Sequence, residues 1–140
     1  MDTSALLTHP WAYPLLEVVH LVGIAALLGS LAVLELRLWT RVDALPASAL
    51  ARLVLRVTWI GCALALASGA LMFSTRPDEL LVNPAFRVKA VLLGLAGLNA
   101  VAFHRRGGVA RGDTAMRVLG GLSLLLWVAI IGCGRWIAYA

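Results

Sequence analysis

The chain has 140 residues, 61% of them hydrophobic, with a mean hydropathy of +0.92 and 12 Lys/Arg against 7 Asp/Glu. Soluble domains are nearer half apolar, and the excess here gathers into stretches of about 20 residues, the length of helix that crosses a bilayer. A separate soluble domain is thereby excluded. So is a nucleic-acid partner, because the basic residues flank apolar stretches instead of forming a soluble face; the lipid bilayer is the expected partner.

In chain order, a polar lead of eight residues comes first, with no Lys or Arg before Arg37. A signal peptide needs a basic start, so the first apolar stretch is expected to stay in the mature protein. His9-Pro10-Trp11-Ala12-Tyr13-Pro14 follows. Two aromatics and two prolines at a span boundary read as an interfacial belt, and Pro14 suits a first helical turn. Hydropathy then predicts spans over 14–38, 52–74, 85–104 and 118–139. The short connections predict an all-α fold, one antiparallel four-helix transmembrane bundle filling the whole chain. Segment 76–84 reads as a short loop whose Leu-Leu-Val dips into the interface, and Asn83-Pro84 marks the start of the third span. Trp136 and Tyr139 repeat the aromatic belt at the far end.

Small residues recur on each span: Gly23, Ala26 and Ser30; Gly61, Ala65 and Gly69; Ala90, Gly94 and Gly97; Gly120, Gly121, Gly132 and Gly134. Such spacing lets helix backbones approach closely in lipid and predicts a close-packing face on every helix. The same faces are compatible with a homo-oligomer. Cys62 and Cys133 differ in depth by roughly 7 Å on the helix rise and read as two small buried thiols.

The first and third connections with their flanks hold Arg37, Arg41, Arg52, Arg56, Arg105, Arg106, Arg111 and Arg117; the opposite side has Arg76, Arg87, Lys89 and Arg135. The positive-inside rule then places both termini outside, in the periplasm for a chain in the bacterial inner membrane.

The ionisable residues inside the spans fall in two layers. A charge at membrane depth costs roughly 2.5 kcal/mol or more unless paired or hydrated, so each layer needs a reason. The outer layer holds Glu17, His20, Lys89 and Arg135, with Met72 at the same level. By the rise per residue, His20, Lys89 and Arg135 lie about 9, 7 and 6 Å below their helix ends. In one reading Glu17 pairs with Lys89 or Arg135, and the layer only fixes helix register, at ~1 kcal/mol per contact. In another it binds haem b: His20 is the axial ligand, Lys89 and Arg135 pair with the propionates and Glu17 orients His20. Glycines 23, 132 and 134 would then admit the flat macrocycle. His104 lies some 20 Å away in depth by the helix rise, so the sixth position falls to Met72, Lys89, water or nothing. A single haem of that kind favours redox chemistry or haem handling, with a redox partner in the membrane or periplasm. A copper ion on His9, His20 and Met72 is a third reading. In the inner layer, Glu35 is expected to pair with Arg56 or hydrogen-bond Asn99, and His104-Arg105-Arg106 to anchor the chain to anionic lipid.

Trp11…Pro14…Glu17…His20…Gly23…Gly29…Glu35-Leu36-Arg37, the run Ser68-Gly69…Asn83-Pro84…Phe86…Lys89…Asn99…His104 and the closing Gly134-Arg135-Trp136-Ile137-Ala138-Tyr139 resemble small bacterial four-helix membrane proteins grouped as a domain of unknown function. More distantly, His20, Gly69, Lys89 and His104 resemble the layout of four-helix membrane protoporphyrinogen oxidases and the copper resistance protein D group. That likeness implies His20 as haem b ligand and Lys89 as its required partner. It departs from the pattern at Gly23-Ile24-Ala25, where a Trp-x-Gly would stand, and in the additional Glu17.

Overall fold

The computed structural model describes residues 9–40, 44 and 46–140. The polar lead and Arg41, with the expectations placed on them, lie outside the described residues. Helices α1 (Ala12–Thr40), α2 (Ala47–Thr75), α3 (Pro77–Val82), α4 (Pro84–Arg105) and α5 (Thr114–Trp136) follow one another, with a 3-10 turn at Gly108–Ala110. No strand occurs among the described residues. Helices α1, α2, α4 and α5 are each long and apolar enough to cross a membrane. Leu21, Leu36, Leu53, Ile60, Val91, Leu98 and Leu125 are all more than 60% exposed on the outside of these helices. An apolar exterior of that kind belongs in lipid.

The four expected spans are present, with shifted ends. Helix α2 begins at Ala47 instead of 52, because Pro46 holds an extended N-cap and the Ala-rich run after it needs no further signal. Helix α5 begins at Thr114 instead of 118, because the Asp113 carboxylate accepts the Met116 N–H at 3.1 Å. The expected loop at 76–84 is instead helix α3 over most of its length. Pro77 occupies its first position and Asp78 and Glu79 its first turn, both favourable at a helix N-terminus. Leu81 and Val82 remain exposed.

Helices α1 and α2 pack backbone to backbone. A Cβ added at Gly61 would lie 2.6 Å from the Leu27 nitrogen, and one at Gly23 would lie 2.7 Å from the Ala65 nitrogen. Ser30 and Thr58 share a 2.6 Å hydrogen bond in the same seam, so the small-residue stripes predicted on these two helices face each other. On α4 the expectation of close packing fails: nothing comes within 4 Å of a Cβ at Gly94 or Gly97. Helices α2 and α4 meet instead through rings, Phe73 on Phe86 at 5.4 Å near one end and Trp59 by His104 at 6.2 Å near the other. Large side chains hold those two backbones apart, which leaves the small residues of α4 facing outward.

Leu34, Ala51 and Val54 form a buried cluster against Leu50, Leu55 and Val109. That cluster joins the end of α1, the start of α2 and the 3-10 turn. The turn is reached through Gly107 and Gly108 at φ +100° and +56°, a backbone region that glycine enters without steric cost.

At the other end Asn83 caps α4. Its side-chain oxygen accepts from the Ala85 and Phe86 N–H groups at 3.0 and 3.2 Å, and its Nδ2 donates to the Ile137 carbonyl at 3.1 Å. One side chain thus starts α4 and ties it to the end of α5. Asn83→Ala is expected to cost about 1 kcal/mol through the cap alone and to speed hydrogen exchange at Ala85 and Phe86; unchanged protection at both amides would mean the cap contributes nothing.

Candidate cofactor site

His20 on α1 lies over Gly69 of α2. A Cβ at Gly69 would sit 3.2 Å from the imidazole Cε1, so the absence of a side chain there makes room for the ring. Its Nδ1 is 3.1 Å from the Ser68 Oγ. Ser68 is 2% exposed, and its hydroxyl donates at 2.6 Å to the Leu64 carbonyl. A serine has one hydrogen to give. With that hydrogen spent on Leu64, the oxygen can accept from His20, an arrangement that would put the proton on Nδ1 and the lone pair on Nε2; the Ala65 backbone is a second hydrogen-bond partner of the ring. A hydrogen bond at one ring nitrogen setting the tautomer of the other is the usual arrangement behind a ligating histidine.

Lys89 on α4 is half-buried and lies over Gly134 of α5, whose added Cβ would be 3.2 Å from the ammonium nitrogen. It lies within electrostatic range of His20. Among the described residues no carboxylate pairs with it within 4 Å. His20 on α1 and Lys89 on α4 are thus each accommodated by a glycine on a neighbouring helix.

Among the described residues Glu17, Arg135 and Met72 make no hydrogen bond or ion pair with His20 or Lys89. Glu17 is exposed, with no ion pair or hydrogen bond among the described residues; Ser68, not Glu17, holds the His20 ring. The Arg135 guanidinium donates to the Tyr139 hydroxyl at 3.0 Å and lies over that ring at 5.3 Å. Met72 is half-buried on α2, one turn beyond Ser68. Gly23, expected to open a slot for a flat ligand, is closed by the backbone of α2, and Gly132 has nothing within 4 Å of its added Cβ. His9 accepts from the Trp11 N–H at 3.4 Å at the exposed start of the chain. Among the described residues no three His, Cys, Asp or Glu side chains gather as a metal site.

In the inner layer Glu35 is 6% exposed. Its carboxylate accepts from the Trp39 indole at 3.2 Å, one turn along the same helix, and packs directly on Gly120 of α5. Neither expected partner is used. Arg56 is exposed, and the Asn99 Nδ2 donates to the Leu119 carbonyl at 2.9 Å. A methyl group at Gly120 would overlap the Glu35 oxygens, so Gly120→Ala is expected to lower stability by about 1–3 kcal/mol. Glu35→Ala in the same chain should restore part of the loss. Thermal unfolding in micelles reads both, and a wild-type midpoint for Gly120→Ala would show that the two helices do not meet there.

Three residues of these layers escaped sequence reasoning as contacts: Ser68, Trp39 and Gly120. Only Trp39 had a local signal, its i, i+4 spacing from Glu35. No protein-family model, no curated protein and no solved structure matches the chain.

Proposed function

We propose that the chain is an antiparallel four-helix protein of the bacterial inner membrane, with both termini periplasmic, that binds haem b through His20 and serves a redox or haem-handling role. The observation that carries this reading is the His20 imidazole, whose Nδ1 lies 3.1 Å from the Ser68 hydroxyl, within electrostatic range of a Lys89 ammonium that has no carboxylate partner among the described residues.

The donor set fits the group. A neutral imidazole is the usual axial ligand of haem iron, and an unpaired cation beside it suits a propionate. Haem would supply reversible one-electron chemistry at its iron. Ser68 orients the imidazole, and Lys89 neutralises one carboxylate. Arg135 would offer a second cation once it leaves Tyr139, and Met72 would be a further candidate to hold the group. The antiparallel arrangement is supported by pairings in which rising numbers on α1 meet falling numbers on α2: 20 with 68 and 30 with 58. The periplasmic termini follow from the arginine bias. The absorption spectrum of the purified protein tests the reading, with a Soret band and reducible α/β bands expected.

A non-enzymatic membrane subunit is the second reading, favoured by the inner layer, where Glu35 on Gly120 and Ser30 on Thr58 join neighbouring helices. A folded protein that stays colourless after haem is supplied would select it. Copper handling has less support, since His9 and His20 are not gathered with further donors.

A further inference from the structure

We propose that the arginine-rich end of the bundle holds one anionic phospholipid, with an acyl chain in a cleft beneath the 3-10 turn and its phosphate among Arg52, Arg56, Arg105 and Arg106. The cleft measures about 340 Å³, and Ala51, Leu55, Phe103, Val109 and Ala110 give it apolar walls. Ala51 and Leu55 are one turn apart on α2, and Arg52 and Arg56 are their immediate neighbours in the chain. Arg105 and Arg106 lie between His104 and Gly107, two further lining residues. All four arginines are exposed, and none forms an ion pair among the described residues.

The acids described at this end are already engaged, Asp113 by Arg111 at 2.7 Å and Glu35 by Trp39. Four exposed cations, without an ion pair among the described residues, thus adjoin in the chain the residues that line an apolar cleft at one end of the four apolar helices. A soluble anion would meet the charges and leave the cleft empty, and a neutral apolar molecule would do the reverse. A lipid with a negative headgroup meets both, and basic pockets between transmembrane helices bind such lipids by this combination. The site is separate from the one at His20, and the inference holds with or without a cofactor there.

The test uses the full chain in neutral detergent, titrated with phosphatidylglycerol or with phosphatidylcholine of the same acyl chains. Thermal stabilisation and native mass spectrometry report binding. Phosphatidylglycerol is expected to bind selectively. An arginine near the headgroups is worth about fivefold in affinity, so Arg105→Gln with Arg106→Gln should weaken phosphatidylglycerol roughly 30-fold and leave phosphatidylcholine unchanged. Ala110→Trp, which fills the cleft and spares every arginine, should also abolish selective binding. Arg76→Gln, at the opposite end, should do nothing, and glycerol phosphate, a headgroup without chains, should not stabilise the protein. Equal binding of the two lipids, full affinity in the double arginine variant, full affinity in Ala110→Trp, or stabilisation by glycerol phosphate matching that of the lipid would each overturn the proposal. Should Ala110→Trp fail to fold, the lipid pair and the arginine variants decide it alone.

Discussion

If the chain binds haem as proposed, replacing His20 with alanine is expected to remove the Soret band entirely, whereas His104→Ala is expected to leave it at wild-type height. This is the largest effect expected of any single substitution in the chain, because no second histidine stands near enough to take over. His104 is at the opposite end of α4 from Lys89, exposed, beside Trp59. The intermediate case is Ser68→Ala. It keeps the ligating nitrogen and removes the group that fixes the tautomer, and losses of this kind usually cost 10- to 100-fold in metal affinity. Haem titration of the three variants gives the ordering: none for His20→Ala, weakened for Ser68→Ala, normal for His104→Ala. Normal haem binding by His20→Ala would end the proposal. Normal affinity in Ser68→Ala would leave His20 as ligand but remove Ser68 from its support.

Gly61→Ala unfolds the α1–α2 pair at markedly lower temperature than wild type. A single methyl at this position has nowhere to go. Its nearest neighbours would be the Leu27 nitrogen at 2.6 Å and the Gly23 carbonyl oxygen at 2.7 Å, both backbone atoms of α1. A flexible side chain could swing aside, but two helical backbones move only by separating. That separation would loosen the 2.6 Å Ser30–Thr58 bond and carry Ser68 away from His20. Overpacking costs about 1–3 kcal/mol in well-packed interiors. The same change at Gly94, where nothing approaches within 4 Å, should be neutral or slightly favourable on helix propensity. Gly23→Ala strikes the same seam, so the double variant should lose less than the sum of the singles. Equal midpoints for Gly61→Ala and Gly94→Ala would mean the seam is wider than the structure has it.

Much of the fold was legible because the cost of exposing backbone in lipid leaves a long apolar run little choice but helix. The ends were less so. The extra turn of α2 rests on alanines that look neutral to a hydropathy reading, and α3 is too short for periodicity to register, although Pro77-Asp78-Glu79 is a helix-start pattern. Depth counting puts His20 and Lys89 at one level from the near-constant rise per residue alone. It could not find Ser68, because partners across a seam depend on how each helix is rotated about its axis. The same blindness let Glu17 stand as the group behind His20 and placed Arg135 in the layer. The link from Arg135 to Tyr139 is an i, i+4 contact that local spacing could have supplied.

The helices of the bundle are unequal. At 29 residues each, α1 and α2 run to roughly 44 Å on the helix rise, whereas α4, with 22, reaches roughly 33 Å. A hydrocarbon layer about 30 Å thick matches the shorter helix and is too thin for the longer two, which must lean or carry their ends into the headgroups. Mismatch of this sort costs fractions of a kcal/mol per Å. A thinner or thicker bilayer would therefore strain the two halves of the molecule differently, and would do so across the contact of Glu35 on α1 with Gly120 on α5.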